Sequence, residues 1–531
     1  MHRRTFLKEA ALLATTCATG LSSFQATCNR ALAAVPGDEV PGWKFRPAPA
    51  TGPLRVHAAN PRYFTDGSGQ TIFLTGSHTW ANFQDIGVAP LPKFDWPAYL
   101  DMMVKHNHNF MRFWHWLQAA YAPWTDEKML VDPLPYLRTG PGTALDGLPR
   151  FDLTKFNPAY FDRMRSRLIE ARERGIYAAV QLFQSFSENK GGSCNPWPAH
   201  PYNLKNNING FNGEKQGTGT VDLSRAEVRT MQSAYLRKVI DTVNNLDNVL
   251  YEVINEGGNK EWDWWVVDFV HSYETEKGKR HPVGLTGGNA ETLAELLASP
   301  AEWISAGSDQ NPEFKSDPPV WDGKKVSVSD TDHLWGHGGT IAWAWKSFVR
   351  GHNTLLMDSW VPIPGRPCGH WNWASRPGNP IRDLNRSEHW TWEPVRKAIG
   401  NTRTYANRMN MAATSPRNDL ASTKYCLANP GVEYLVYLPE GDEVTVDLSK
   451  VSGEFAAEWM HPVEGMITPG GSVKGGDKPN FAVPFPGAAV LYLRKKTNRR
   501  DAEAQRGRES LGRSERRLQE LEVESVTLAE P

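Results

Sequence analysis

The sequence predicts an α/β fold, a (β/α)8 TIM barrel followed by a small antiparallel β-sandwich. Apolar runs of strand length alternate with amphipathic helical stretches through residues 52–412, and eight such runs can be counted. Eight is the number of parallel strands that a closed barrel of this kind requires. From residue 420 the pattern changes to short β runs separated by Gly, Pro and Asp, which is typical of an antiparallel sandwich. We therefore expect the barrel at residues 52–412 and the sandwich at residues 418–496.

The eight strand candidates are short, apolar and rich in β-branched or aromatic residues. They cover residues 72–75, 109–114, 176–183, 249–254, 283–286, 303–306, 326–329 and 353–357. An Asp66-Gly67 turn just before the first of them predicts a hairpin. The loop after the third, residues 185–220, is long and rich in Gly and Asn. Because long loops in compact domains are more often functional than not, we expect this one to contribute to a site.

The two ends of the chain have the composition of segments outside the fold. Arg3 and Arg4 precede a mildly apolar stretch and a small-residue site, so residues 1–34 are predicted to be a twin-arginine signal peptide. Export by this route implies a periplasmic or extracellular location. No later segment reaches the ~20 apolar residues that a membrane span needs. Residues 497–531 are strongly charged and lack aromatic residues, which indicates a disordered tail.

The amino-acid composition indicates which kinds of molecule the protein is expected to bind. Lys and Arg together number 59, as do Asp and Glu, so the protein has no global charge that would attract nucleic acid or an anionic membrane. Trp is as frequent as Phe, at 21 each, and 20 of the Trp residues precede residue 400. Flat aromatic rings suit stacking on sugars, although many must simply pack the core. The composition therefore favours a carbohydrate substrate and no nucleic-acid partner.

The common cofactor and metal motifs are absent from the sequence. It contains no HExxH, CxxC or EF-hand pattern, no phosphate-binding Gly loop, and no Gly-x-Ser-x-Gly elbow after the signal. One metal alternative is an Asp-His-x3-His run formed by Asp332, His333 and His337, which lies in a Gly-rich loop and matches no established site. We therefore expect no cofactor and no metal ion.

The end of the fourth strand is the strongest candidate for chemistry. An apolar run stops abruptly at Asn255 and Glu256, which are followed by two glycines. In a barrel of this type, catalytic groups project from the carboxyl ends of the strands. Glu252 lies four residues earlier with the same strand parity, so it is expected to point into the barrel, where Arg112 on the second strand is its predicted counter-ion.

Four features in order resemble the clan A glycoside hydrolases. These are Arg112 on the second strand, Asn255-Glu256 on the fourth, an acidic residue at the end of the seventh, and Trp360 after the eighth. Residues 55–80, 425–439 and 485–493 are more closely similar to secreted apiosidase-like barrel proteins that carry a C-terminal collagen-binding-like sandwich. The likeness spans about residues 52–494.

The resemblance implies a retaining glycosidase with one carboxyl on strand four and one on strand seven. Glu256 would be the acid/base, and Asn255 would bind the sugar hydroxyl next to the anomeric carbon. The clan places Glu at the end of strand seven, whereas this chain has Asp330 and Asp332 there. Asp330 is preferred as nucleophile because it takes the position of that Glu. Asp332 and, on the next strand, Asp358 are alternatives, and both retention and inversion stay open.

Polar and aromatic residues near the other strand ends are candidates for the sugar subsite. They are His78, Trp80, Arg112, Trp114, His115, Gln181, His333, Trp335 and Trp360. A non-catalytic alternative also exists, in which the barrel has lost its nucleophile and binds a carbohydrate or matrix polymer. The C-terminal sandwich contains only Trp459 among the Trp residues, so we expect it to pack on the barrel as a structural unit.

Overall fold

The protein was analysed as a computed structural model that describes residues 48–121, 128–188, 195–213, 219–287, 291–358 and 392–496. The predicted signal peptide, the predicted charged tail and Trp360 lie outside these residues. No helix in the described ranges combines the length and the apolar character needed to cross a membrane.

The first part of the chain forms a closed barrel of eight parallel strands, as predicted. Each strand pairs with the next along the chain, and the eighth pairs with the first. The strands are β1 (Thr75–His78), β2 (Phe110–Phe113), β3 (Tyr177–Gln184), β4 (Val249–Asn255), β5 (Val283–Thr286), β6 (Trp303–Ser305), β7 (Val326–Asp330) and β8 (Asn353–Met357).

A helix follows each strand, which completes the (β/α)8 pattern. The helices are α1 (Trp96–Lys105), α2 (Pro158–Arg172), α3 (Ala226–Val243), α4 (Lys260–Glu276), α5 (Leu293–Ala298), α6 (Glu313–Ser316), α7 (Ile341–Val349) and α8 (Glu393–Arg408). Side-chain caps fix several of their starts: Asn157, Asn259 and Thr340 accept hydrogen bonds from the first-turn N–H groups of α2, α4 and α7.

Strand β1 begins three residues later than the sequence predicts. Ile72 forms an antiparallel bridge with Phe64 across the Asp66-Gly67 turn, so the expected hairpin takes up the start of the apolar run. The barrel pairing begins at Thr75 and includes Gly76, which lies opposite Phe110. A Cβ on Gly76 would lie 2.0 Å from the Phe110 carbonyl oxygen, so no larger residue fits there. Because β1 begins at Thr75 and not at Ile72, His78 is the last residue of the strand and does not lie in the loop after it.

Residues of one strand parity build the inside of the barrel in layers. Leu250, Val326 and Val328 belong to a separate apolar cluster that also contains Phe110 and Trp303. Two residues beyond Phe110, Leu250 and Val328, the charged residues are Arg112, Glu252 and Asp330. The lower barrel is therefore a dry core, and the ionic groups lie near the carboxyl ends of the strands, where barrel active sites are found.

The loops on the β2 side contain two-stranded units that the sequence analysis missed. Tyr136–Thr143 pairs with Pro149–Phe156, and Asp85–Val88 pairs with Met129–Asp132. The first pair shows two irregularities in register, which explains why its alternation of polar and apolar residues is hard to recognise in the sequence.

The C-terminal region is an antiparallel sheet domain, as predicted. Six of its strands form one sheet: β9 (Ser415–Pro416), β10 (Cys426–Asn429), β11 (Glu433–Leu438), β12 (Glu454–Met460), β13 (Ile467–Lys474) and β14 (Ala489–Lys495). Their order in the sheet is β9-β10-β11-β14-β12-β13, and a two-stranded sheet of Glu443–Thr445 and Asn480–Ala482 lies beside it.

One face of the six-stranded sheet packs on the barrel helices α7 and α8. Trp345 of α7 stacks on Tyr437 with 6.1 Å between ring centroids and donates to the Pro462 carbonyl at 3.1 Å. Arg408 of α8 forms an ion pair with Glu458 at 2.7 Å. Alternate residues of β11 face the domain's own core instead. This packing agrees with the expectation that the sheet domain is attached structurally to the barrel.

Candidate active site

Glu256 lies directly after β4, in a backbone conformation that directs it into a pocket. Its φ is +44°, in the left-handed region that non-glycine residues seldom adopt. The Ser185 hydroxyl donates to the carbonyl oxygens of both Asn255 and Glu256, which fixes this turn. A Cβ on Gly257 would lie 2.4 Å from the Ser185 Cβ, so glycine is required for the approach. Such locally strained positions are common at functional sites.

Arg112 is the centre of a buried ionic cluster beneath the pocket. Its Nε donates to Glu252 at 2.7 Å, and its Nη2 donates to the same carboxylate. Nη1 donates to Asp330 at 3.2 Å and to Asp332 at 2.7 Å. Burial lowers the pKa of the guanidinium, but the three carboxylates, Glu252 first, outweigh it and hold that pKa well above its usual value. The predicted Arg112–Glu252 ion pair is therefore present.

Asp330 has no exposed surface, and its oxygens are already used. One accepts from His78 Nε2 and from the backbone N–H of Asp332, both at 3.0 Å, and the other accepts from Arg112. Burial raises the pKa of this carboxyl, but the contacts with His78, and then Arg112, more than offset it and keep the pKa well below the usual range. Asp330 is thus a fixed, buried anion that does not reach the pocket.

Glu256, Asp332 and His333 meet at the pocket. One ligand-type atom of each lies within 4.8 Å of the other two. The cavity that they face has a volume of about 280 Å³. Its other lining residues come from the loops after β5, β6 and β7 and are Gly287, Gly307, Ser308, Asp309, Gln310, Lys315, Leu334, Trp335 and Gly336. The arrangement brings a carboxyl from strand four and one from strand seven to a single small cavity, which suits chemistry on one bond of a small polar ligand.

The environment of Glu256 favours its protonated form. Burial, followed by the nearby charge of Asp332, raises the pKa of the Glu256 carboxyl to about 8, and Arg112 offsets only part of this effect. Asp309 and Asp330 act in the same direction as Asp332. At neutral pH this group therefore holds a proton that it can donate, while Asp332 remains in contact with the Arg112 guanidinium.

His333 is oriented from below and faces the two acids. Its Nδ1 lies 3.0 Å from the Ser305 hydroxyl, and its Nε2 lies 3.8 Å from Asp332 Oδ2. Burial and the charge of Arg112 lower the pKa of this imidazole. Although the sequence predicts no metal site, Glu256, Asp332 and His333 form a cluster of potential metal ligands within the described ranges. Of the residues in the sequence-based metal alternative, His337 is not part of this cluster.

The other sequence-predicted residues lie in three different places. His333 and Trp335 line the cavity. His78, Trp114 and Gln181 are no more than 1% exposed and pack beneath it. Trp80 and His115 are buried around the site, where they contact Trp114 and Tyr160 respectively. The Asn255 side chain is held by two partners: it accepts a hydrogen bond from Arg112 at 2.6 Å and donates one to Gln184 at 3.2 Å.

Asp358, the third nucleophile candidate, is engaged elsewhere. It has no exposed surface, and Arg396 of α8 donates two hydrogen bonds of 2.6 Å to its carboxylate. This two-point contact links the end of β8 to the following helix. The geometry leaves Asp332 as the carboxylate of the three that shares a cavity with Glu256.

The loop after β6 contributes to the cavity, although none of its residues was predicted from the sequence to do so. Ser308, Asp309 and Gln310 line the cavity, and Gln310 accepts from the Gly307 N–H at 2.8 Å. Ser308 and Asp309 lie in the loop that follows the carboxyl end of a buried strand, although Ala306 and Gly307 separate them from that end. These residues could therefore have been found from the sequence by extending to this loop the argument that singled out Glu256.

Comparison with known families supports the two-part architecture. Residues 131–290 match the model of a domain of unknown function (DUF6298), and residues 416–489 match a model described as "Putative collagen-binding domain of a collagenase". No match was found among curated proteins.

Solved glycoside hydrolases share the fold. A glycoside hydrolase family 5 protein from Bacteroides vulgatus aligns with a TM-score of 0.57 at 13% identity, over 86% of this chain and 96% of its own. A second protein, named as a glycoside hydrolase, aligns with a TM-score of 0.54 at 12% identity, over 84% of this chain and 98% of its own. The chain thus shares with these proteins a closed barrel of eight parallel strands followed by an antiparallel sheet domain.

Proposed function

We propose that the protein is an exported glycoside hydrolase that cleaves an O-glycosidic bond of a plant-type polysaccharide or oligosaccharide by a retaining mechanism. Glu256 is the acid/base and Asp332 the nucleophile. The observation that supports this most strongly is the approach of the two carboxyls within 4.8 Å at one cavity. Retaining enzymes hold their carboxyl groups ~5–5.5 Å apart, whereas inverting enzymes need ~6.5–9.5 Å to admit a water molecule.

Two steps follow from these roles. Asp332 attacks the anomeric carbon as the bond to the leaving oxygen breaks, and Glu256 donates its proton to that oxygen, which gives a glycosyl ester on Asp332. Glu256, now ionised, then removes a proton from a water molecule. The water oxygen attacks the anomeric carbon, the ester bond breaks, and Asp332 regains its charge.

The choice of Asp332 replaces the sequence-based preference for Asp330. Asp330 keeps the strand position of the clan nucleophile, but it has no exposed surface, does not line the cavity, and already accepts hydrogen bonds from His78, Arg112 and the Asp332 backbone. Its function is then to hold Arg112, which in turn contacts Asp332. The likeness to apiosidase-like proteins and the predicted twin-arginine signal support the proposal of a secreted, carbohydrate-active protein.

Hydrolysis of a panel of aryl glycosides and plant oligosaccharides tests the proposal. The wild type should cleave at least one substrate, and Glu256→Gln should lower kcat by roughly 10²- to 10⁴-fold on substrates with poor leaving groups. Asp332→Asn should abolish turnover, whereas Asp322→Asn, at an exposed carboxylate that pairs with Lys324, should retain it. Sugar binding without hydrolysis by the wild type would favour the non-catalytic alternative. Equal activity in Glu256→Gln and the wild type would contradict the assignment.

A further inference from the structure

The three side chains that face the cavity contain an imidazole whose orientation is typical of a metal ligand. His333 has a side chain that is 2% exposed, and its Nδ1 is held by Ser305. Within the described residues its Nε2 has no hydrogen-bond partner. Metal-binding histidines commonly have one ring nitrogen fixed by a neighbouring group, which directs the other nitrogen to the ion. A buried ring nitrogen without a partner is otherwise costly.

The two carboxylates supply the remaining ligands and the charge. Asp332 Oδ2 accepts one hydrogen bond from Arg112, which leaves that oxygen a second lone pair, and no hydrogen bond to Oδ1 is formed among the described residues. The single guanidinium of Arg112 contacts three carboxylates, those of Glu252, Asp330 and Asp332, which leaves an excess of two negative charges before Glu256 is counted. The site therefore attracts a divalent cation.

The spacing suits a small transition-metal ion. Zinc binds imidazole nitrogen and carboxylate oxygen at ~2.0–2.2 Å, which places two ligand atoms of a tetrahedral site ~3.5 Å apart. Asp332 Oδ2 and His333 Nε2 are 3.8 Å apart, and Glu256 lies within 4.8 Å of both residues. Binding of the ion would draw the partly exposed Glu256 side chain closer to the other two ligands. An imidazole ligand favours Zn²⁺ over Mg²⁺ and Ca²⁺, which prefer oxygen ligands.

We propose that Glu256, Asp332 and His333 bind one Zn²⁺-like divalent ion at the cavity, and that this ion inhibits the proposed hydrolase. A metal-bound Glu256 cannot carry the proton that the leaving group needs, and a metal-bound Asp332 is a poor nucleophile. The inhibitory part rests on the proposed function, whereas binding of the ion does not. The cavity would thus be switched off reversibly by a transition metal.

Isothermal titration of ZnCl₂ into chelator-treated protein without a polyhistidine tag tests the binding directly. We expect one Zn²⁺ per chain, with Mg²⁺ giving no heat of binding at the same concentration. His333→Ala should weaken Zn²⁺ binding by at least about 100-fold, and Ser305→Ala, which only releases Nδ1, by about 10-fold. His337→Ala is the matched control, because His337 packs against Trp80 and is not one of the three clustered ligands, and should bind like the wild type.

Circular dichroism of each variant identifies those that fail to fold, and His333→Gln, which keeps a polar side chain of similar length, is the second variant if His333→Ala unfolds. Absence of Zn²⁺ binding, or equal affinity in the wild type and the folded His333 variant, would overturn the site.

A separate assay measures hydrolysis in EDTA and then with added Zn²⁺. Full activity in EDTA and reversible loss with Zn²⁺ are expected. Tight binding with unchanged hydrolysis would overturn inhibition alone, and no hydrolysis in EDTA would count against the proposed function rather than the site.

Discussion

The buried Arg112 cluster and the cavity above it contain similar side chains but have different physical roles. In the cluster, Arg112, Glu252 and Asp330 are at most 1% exposed, and each charged group is held by short contacts. In the cavity, Glu256 is only partly buried, and its pKa is raised by burial and by Asp332. Ion pairing removes reactivity from the lower layer, while incomplete pairing in the upper layer leaves a carboxyl that can exchange a proton.

Asp330 and Asp332 show the difference within one short segment. Asp330 ends β7 and points down into the cluster, whereas Asp332 lies in a single turn of 3-10 helix and is 9% exposed at the cavity. Asp330 and Asp332 are only two positions apart in the sequence, yet the first is a structural anion and the second is the candidate nucleophile. Residue type does not distinguish them; burial and hydrogen-bond partners do.

The largest expected effect comes from making the same substitution at these two positions. Asp330→Asn leaves Arg112 and His78 facing a neutral group in a buried site, and loss of one partner of a buried ion pair costs about 3–5 kcal/mol. Asp332→Asn removes one partly exposed contact and should cost about 1 kcal/mol. Urea denaturation followed by fluorescence measures both. Equal losses of unfolding free energy would mean that the two layers are not distinct.

The pH dependence of hydrolysis should report the raised pKa of Glu256. As an acid with a pKa of about 8, Glu256 is protonated below that pH, so kcat/KM should fall as the pH rises through about 8. Asp309→Asn removes a charge that raises this pKa and should move the descending limb to lower pH. A limb that does not move in Asp309→Asn, or that lies near pH 4 to 5, would exclude Glu256 as the acid in this environment.

The stability of Glu256→Gln should depend on pH in a defined direction. The usual pKa of 4.5 is raised to about 8 in the folded protein, so the folded state retains a proton that the unfolded chain loses, and stability falls as the pH rises from 4.5 to 8. Gln cannot ionise and avoids this loss. We expect Glu256→Gln to match the wild type at pH 5 and to exceed it by about 1 kcal/mol or more at pH 8.5, since one pKa unit corresponds to ~1.4 kcal/mol. Thermal unfolding at the two pH values measures this; parallel curves would be contrary to a buried, protonated Glu256.

The smallest expected effect is on substrate binding at the rim. Trp335 lines the cavity, is partly exposed and packs edge-on against Trp343. Loss of an aromatic contact worth ~1 kcal/mol corresponds to about a fivefold increase in KM for Trp335→Ala, and Trp335→Phe should retain part of the affinity. Steady-state kinetics on the best substrate of the panel measures both variants. An unchanged KM would place the sugar elsewhere in the cavity.

Much of the fold could be predicted because strand length, spacing and parity are local properties of the sequence. Parity alone placed Glu252 inside the barrel next to Arg112, and an abrupt end to an apolar run located Glu256. The choice between Asp330 and Asp332 could not be made in the same way, since it depends on the turn at Thr331–His333. That turn contacts the neighbouring strands: Thr331 accepts a hydrogen bond from the Met357 N–H, and His333 contacts Ser305.

Loop conformations were the second limit on prediction. Trp114 directly follows β2, yet it is buried because it packs against His78 and Trp80. Gln181 lies within β3 and accepts a hydrogen bond from the His115 N–H at 3.0 Å. Asp309 comes from a loop whose position depends on contacts with Gln310 and on the neighbouring strands. Non-local packing of this kind leaves no periodic signal in the sequence.

The central claim is that Asp332 forms the covalent bond with the sugar. It is tested most directly by trapping the glycosyl-enzyme with a 2-deoxy-2-fluoro analogue of the best panel substrate, which carries a good leaving group, followed by fragmentation mass spectrometry of the labelled peptide. We predict one label per chain, on Asp332, and none in Asp332→Asn. A label on Asp330 or Asp358, or turnover of the analogue with inversion and no label, would contradict the account.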